Sequence, residues 1–408
     1  MNNFFSFLSE QSQINYKINS VFIIKRLSNY WNESKMIEYR IAVIEGDGIG
    51  PEVTKEGKKM FQAVAHVSDL SFYFVNAPGG GICYKQTGHV LPKETVDICK
   101  SSDAVYKAPV GLPDLPQGLV EQGFIIPLRQ ALDAYANVRP VRLYDELSAV
   151  SPLRKEKIGK GVNFVVVREN TEGSYAKIGG KKGQVEYRDE KVKRLLEELM
   201  EATGAEAIDV SRYSEKGVDR ILMFAFDYAR QHQKTRVTSI DKSNILYTSQ
   251  FWRNAFNQTA KEYPEIETES LYVDAFSQYM LRCPDAYQIV VTDNMFGDIL
   301  TDEGAEITGS LGMGGSANIN PGHVSIFEPI AGSAPDIAGK GVANPIGMIL
   351  AGKMMLETLG HSREAKKIED AVVKTLQQGY RTKDISSGSH ISSTEEMGTA
   401  IADNILRG

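Results

Sequence analysis

Arg40-Ile41-Ala42-Val43-Ile44-Glu45 runs straight into Gly46-Asp47-Gly48-Ile49-Gly50-Pro51-Glu52. A short apolar run, a glycine loop and Pro51 at a helix start predict a strand–loop–helix unit, with helical apolar spacing over Val53 to Val64. That context invites a Rossmann dinucleotide site. The spacing is GxGxG, however, not GxGxxG, and no clean second strand ends in an acid about 20 residues later. The simpler reading is that the glycines let two stretches of backbone pack closely.

Outward from this unit, strands and helices alternate. Strands are expected at Leu70–Val75, Ala104–Tyr106, Asn163–Arg168, Arg236–Ile240 and Ile289–Thr292. Helices are expected at Glu94–Cys99, Ile125–Tyr135, Asp189–Thr203, Gly217–Gln231 and Ile346–Leu359, the last Met-rich and buried. The alternation argues an α/β fold with a mostly parallel sheet.

Composition removes several function classes. The 408 residues carry 46 Lys plus Arg against 52 Asp plus Glu, a net charge of −6, which argues against a nucleic-acid-binding protein. Hydrophobic residues make up 42%, so wholesale disorder is not expected. No run of about 18 apolar residues offers a membrane span. Cys83, Cys99 and Cys283 are odd in number and lack CxxC spacing, which fits reduced thiols in a cytoplasmic protein. Residues 1–35 lack the basic and apolar regions of a secretory signal. They read as a non-domain extension before Met36, with organelle targeting as the alternative.

Three groups of residues carry chemical possibilities. Asp298 and Asp302, four apart after the apolar run Ile289–Thr292, share one helix face. A hard divalent cation would relieve their repulsion, and Asp274 could join them; an acidic helix start is the alternative. Arg129, Arg139 and Arg168 lie beside apolar runs and suit either carboxylate recognition or structural ion pairs. Tyr175 and Lys242 are candidates for proton transfer, with plain surface residues as the alternative.

The ordered motifs EGDGIGPE, LRQALDAYANVRP, VVVRENTEGSY, SIDKSN, YVDAF, DNMFGDILTDEG and GSAPDIAGKGVANP, from Arg40 onward, resemble one family. It is the β-decarboxylating dehydrogenases of isocitrate, 3-isopropylmalate, homoisocitrate and tartrate/D-malate. The resemblance implies a two-domain isopropylmalate dehydrogenase-like α/β fold, distinct from the Rossmann fold. It implies a large domain over 36–134 and 309–408 and a small domain over 135–308 that holds the dimer interface. It further implies that Arg129, Arg139 and Arg168 clamp malate-like carboxylates and that Asp298 and Asp302 hold Mg2+ or Mn2+ with Asp274 of the partner subunit. Lys242 of the partner subunit would take the hydroxyl proton, and Tyr175 would protonate the enol carbon. Asn244 would lie beside the nicotinamide. Asp336, the loop Gly332, Ser333 and Ala334, and Asn344 would bind the adenosine end. Asp336 implies NAD, because a carboxylate repels a 2′-phosphate.

The residues before the first clamp arginine face the third-carbon substituent in such enzymes. Here Ile125 and Ile126 stand there, and burying a third carboxylate against them would be costly. Isocitrate is therefore disfavoured, and homoisocitrate lacks its added arginine. The expected activity is oxidative decarboxylation of 3-isopropylmalate or of D-malate/tartrate by a homodimer or a higher oligomer. An isocitrate or homoisocitrate dehydrogenase, or a non-catalytic regulatory subunit of such an enzyme, is the alternative. Two departures from the family pattern stand out: Ala331 replaces the usual histidine, and the loop Lys107–Pro113 is atypical.

Overall fold

The computed structural model describes residues 36–408 except 186, 188 and 389. The expectations for residues 1–35 lie outside the described residues. All the site residues discussed below belong to one compact unit, Tyr39–Ser68 with Phe72–Gly408.

The strands in chain order are β1 (Ile37–Ile44), β2 (Leu70–Asn76), β3 (Ala104–Lys107), β4 (Ala136–Arg142), β5 (Asn163–Glu169), β6 (Gly179–Lys181), β7 (Gln184–Val185), β8 (Ala207–Asp209), β9 (Arg236–Asp241), β10 (Glu267–Tyr272), β11 (Ile289–Thr292), β12 (Gly315–Ile319) and β13 (Ile326–Pro329). Ten form one sheet in the order β10-β9-β11-β5-β4-β12-β13-β3-β1-β2, and β6–β8 form a small second sheet.

The expectation of a mostly parallel sheet needs one correction. Parallel pairs lie on either side (β10/β9, β9/β11, β11/β5, and β13/β3, β3/β1), but the centre is antiparallel: β5/β4, β4/β12 and β12/β13. Strand β4 escaped the sequence reading because Pro140 sits inside it, and proline cannot donate to the ladder. The seam strands β12 and β13 are short; β12 opens on Gly315 after Gly314, and β13 ends on Pro329, which weakens their strand signals.

Helices cover the sheet where apolar spacing predicts them. Gly50–His66 has Pro51 in its first turn and buries Val53, Met60, Phe61 and Val64. The Met-rich helix Ile346–Thr358 is buried on nearly every side, as expected. The charged helix Glu190–Thr203 is capped by Asp189, which accepts from Lys191 N and Val192 N; Leu196 and Met200 enter a small core with Ile178 and Val185. The expected helix Ile125–Tyr135 is shorter: a π-helical turn, Glu121–Ile125, runs into an α-helix over Ile126–Ala131. Such turns often mark functional sites. Among the described residues, no helix is long and apolar enough to cross a membrane.

The glycine loop follows the packing reading. A Cβ at Gly46 would fall 2.0 Å from the Pro109 carbonyl oxygen, and one at Gly48 1.9 Å from that of Ser333. Both residues have positive φ, +67° and +58°, so glycine serves both sterics and conformation.

Candidate active site

The antiparallel seam assembles the site. Side chains alternate along a strand, so Val138 of β4 points one way and Asn137 and Arg139 the other. Arg139 donates to Thr301 Oγ1 (2.6 Å) and Asp302 Oδ1 (3.2 Å) and approaches Asp298 Oδ1 at 3.7 Å. Arg168, at the end of β5, donates to Asp298 Oδ1 at 2.5 Å and through two nitrogens to Asn294 Oδ1 at 2.7 and 3.2 Å. The acids lie on the helix Asn294–Ile307, one turn apart, with Asp293 as its N-cap. Tyr175, in a 3₁₀ turn, donates to Asp298 Oδ2 at 3.2 Å, and the Arg168 guanidinium lies 5.7 Å from its ring centre.

Burial alone would raise the Asp298 carboxyl, but the charges of Arg168, Arg139 and Arg129 override it and hold it below the usual carboxylate range. Asp302 goes the other way: burial raises it, and Arg139 only partly offsets this. Burial lowers both Arg139 and Arg168, opposed by Asp298. Tyr175 is raised, by burial first and the Asp298 charge second. Arg139 Nε is buried without a partner, an orphan donor inside a cationic cluster. The cluster is thus ready for an anion.

Arg129, on the helix Ile126–Ala131, is held by residues that the sequence reading missed. Its Nη2 donates to Glu328 Oε1 at 3.0 Å; Lys107 Nζ donates to Glu328 Oε2 at 2.5 Å, and Asn318 Nδ2 to Oε1 at 2.8 Å. Glu328 is buried. Burial would raise its carboxyl, yet Lys107 and Arg129 hold it far below the ordinary range. The available signal was an acid and a lysine closing apolar runs, Ile326-Phe327-Glu328 and Ala104-Val105-Tyr106-Lys107, the pattern that singled out Arg168. Ile125 and Ile126 sit one turn before Arg129 and are half-buried.

β13 leads directly into the expected cofactor loop. Ala334 there has a positive φ of +38°, strained for a residue with a side chain. Asp336 is exposed at the loop's end. Asn344 donates to Asp384 Oδ2 (3.0 Å) and accepts from Ile346 N (3.0 Å), so its amide is engaged by the protein.

Lys242 and Asp274 stand apart from the cluster. They pair with each other at 2.6 Å, with Asp274 well exposed and held below its usual range by that bond first. Asn244 is exposed on the same turn. Within one chain, no three His, Cys, Asp or Glu among the described residues come together as a metal site. Asp298 and Asp302 nevertheless fit a hard cation: they offer carboxylate oxygens, and Asp302 has too little positive charge around it.

An α/β sheet that gathers Arg139 and Arg168 around paired aspartates, with Arg129 nearby, suits a small carboxylic acid beside a hard cation. The chain matches the isocitrate/isopropylmalate dehydrogenase family model over residues 40–401. It is 41% identical to the 3-isopropylmalate dehydrogenase of Clostridium pasteurianum, covering 91% of this chain and 99% of that protein. It is likewise 41% identical to the Thermotoga maritima 3-isopropylmalate dehydrogenase, covering 90% and 99%. The solved isocitrate dehydrogenase of Methylococcus capsulatus superposes with a TM-score of 0.78 at 35% identity, covering 90% of this chain and 99% of that one. The chain belongs to the isocitrate/isopropylmalate dehydrogenase family. It is an NAD- and divalent-metal-dependent β-decarboxylating oxidoreductase for a malate-class acid.

Proposed function

We propose that the substrate is 3-isopropylmalate. The observation that carries this is the half-buried pair Ile125 and Ile126, one turn before Arg129. An isopropyl group buries apolar surface against them; isocitrate would leave a carboxylate there unpaired. D-malate and tartrate would leave the apolar wall unfilled.

Arg129, Arg139 and Arg168 hold the carboxylates in register, with Glu328 fixing Arg129 from behind. Asp298 and Asp302 hold the divalent cation together with Asp274 of the partner subunit. When bound, NAD accepts the hydride and the cation acts as a Lewis acid on the reacting oxygen. Lys242 of the partner subunit takes the hydroxyl proton. Tyr175, poised by Asp298, delivers a proton to carbon after CO2 leaves. Asp336, with Gly332, Ser333, Ala334 and Asn344, forms the adenosine subsite, and Asn244 of the partner subunit approaches the nicotinamide.

This division of labour requires a dimer. Its support is the exposed apolar surface near the Lys242–Asp274 pair: Ile245, Tyr247, Phe251, Tyr272 and Tyr279, with Ile299 on the metal-side helix. Tyr247 is 87% exposed, an unusual fate for a large aromatic. We assign the large domain to 36–134 and 309–408 and the dimer-forming domain to 135–308. The three free thiols suit a cytoplasmic location.

The test is NADH formation with Mn2+ on 3-isopropylmalate, D-malate, tartrate, isocitrate and homoisocitrate. The highest kcat/KM is expected for 3-isopropylmalate; a clear preference for isocitrate would overturn the pocket argument.

A further inference from the structure

We propose that Asp47 is a positioning residue for the cofactor side of the cleft. Its carboxylate sets the relative positions of the loops against which NAD binds. The proposal rests on the reading of Gly332–Asp336 as cofactor contacts.

Three amides of the glycine loop are spent on protein rather than offered to a ligand. Asp47 N donates to Pro109 O (2.8 Å), Ile49 N to Ser333 O (2.8 Å) and Gly50 N to Asp47 O (2.9 Å). The loop acts instead through one side chain. Asp47 is fully buried, and no cation pairs with it among the described residues. Its charge is met by three backbone N–H groups, each at 2.7 Å: Gly81 and Gly111 on Oδ2, and Ile82 on Oδ1. Those donors come from two separate segments, the start of the helix Gly81–Thr87 and the loop after β3. Gly81 and Ile82 follow Gly79-Gly80, while Gly111 belongs to the atypical segment Lys107–Pro113. With the Ile49–Ser333 bond, four chain segments meet at this point.

Charge matters here because all three neighbours are donors. An ionised carboxylate accepts on both oxygens; an asparagine would turn an NH2 group towards an N–H already pointing inwards. An asparagine oxygen facing Gly81 and Gly111 would leave its NH2 against Ile82 N–H, and the flipped amide would lose both glycines, so in either orientation the link between the segments is weakened. Gly111 adjoins the Ser333 hydroxyl, which a Cβ there would approach to 3.8 Å, so the displacement would reach the loop Gly332–Asp336. Distance from substrate predicts the kinetic signature: weaker NAD binding with little change in carboxylate recognition.

The experiment compares wild type, Asp47→Asn and a distant core variant, Leu376→Ala, by calorimetric NAD binding, by KM for each substrate and by melting temperature. Asp47→Asn should raise Kd and KM for NAD about tenfold, the effect of one buried donor left unsatisfied, with KM for 3-isopropylmalate within about twofold of wild type. Leu376→Ala should lower the melting temperature and leave both KM values unchanged. If Asp47→Asn behaves like Leu376→Ala, or raises both KM values equally, the proposal fails. Should the variant not fold, hydrogen exchange of the wild type decides. NAD, but not 3-isopropylmalate, should add protection to segments 79–82 and 108–111 together; no gain on NAD overturns the proposal. Wild type that binds no NAD would defeat the cofactor reading as well, whereas normal NAD binding by Asp47→Asn defeats this inference alone.

Discussion

The arginine cluster and the Lys242–Asp274 pair use the same kinds of charge in opposite settings. Arg168 is 1% exposed and bonded to Asn294 and Asp298, while Arg139 reaches Thr301 and both acids. Among the described residues, the side chains of Lys242 and Asp274 pair with each other alone, and Asp274 faces solvent with a side chain 62% exposed. One set is preorganised by its own chain. The other stands in the open, apart from the first. The contrast fits the proposed arrangement, in which each half of the site is completed by a second copy.

The largest expected effect breaks the second half. Lys242→Met should reduce kcat by about a thousandfold or more, the usual reach of a proton-transfer group, with melting temperature unchanged. Asp298→Asn should be similarly inactive. Unfolding and refolding the two variants together sharpens the comparison. With random pairing, half the dimers are mixed and one of their two sites carries both intact halves, so activity should return to about a quarter of wild type. No recovery in refolded mixtures would place both halves in one chain and refute the shared site.

The next effect targets the buried side. Glu328→Gln leaves Lys107 and Arg129 as buried cations without their anion and should destabilise the fold by about 3 kcal/mol or more. Because the folded Glu328 carboxyl is held below its unfolded value of about 4.3, its contribution is complete above that pH and lost as pH falls below it. Stability of the variant should therefore depend less steeply on pH between about 4 and 2 than wild type. Parallel acid-denaturation profiles would contradict this. In specificity, Ile125→Ser should cost about 10- to 100-fold in kcat/KM for 3-isopropylmalate while changing D-malate much less. An equal loss on both would remove Ile125 from substituent recognition.

Legibility from sequence divided along physical lines. Six strands and the helices Gly50–His66, Glu190–Thr203, Glu215–Gln231 and Ile346–Thr358 followed from apolar periodicity, whereas Tyr247–Thr259, Ser362–Gln377 and Thr394–Arg407 did not. Residues on ordered motifs, from Arg129 to Asp302, came through resemblance. The seam strands β4, β12 and β13 did not, since Pro140, the glycines at the start of β12 and Pro329 in β13 argue against strand while tertiary pairing overrides them. Glu328, Lys107 and Asn318 were hidden for a related reason. Their importance lies in meeting across β3, β13 and β12, and no spacing along the chain reports a cross-strand encounter. The Lys242–Asp274 bond was likewise invisible, joining residues 32 apart.

The smallest expected effect completes the contrast. Asp274 and Lys242 form a short ion pair, yet the carboxylate is solvated, and exposed pairs of this kind contribute little to stability. Asp274→Asn should leave the melting temperature of the cation-free protein unchanged, unlike Glu328→Gln. Its effect should appear on adding Mn2+: the apparent affinity should fall, because one oxygen ligand has lost its charge. The stabilisation that Mn2+ gives the wild type should shrink with it, since a ligand bound to the folded state raises stability in proportion to its occupancy. A large drop in melting temperature without Mn2+ would mean that the pair is structural, and the distinction between a finished half-site and a waiting one would fall.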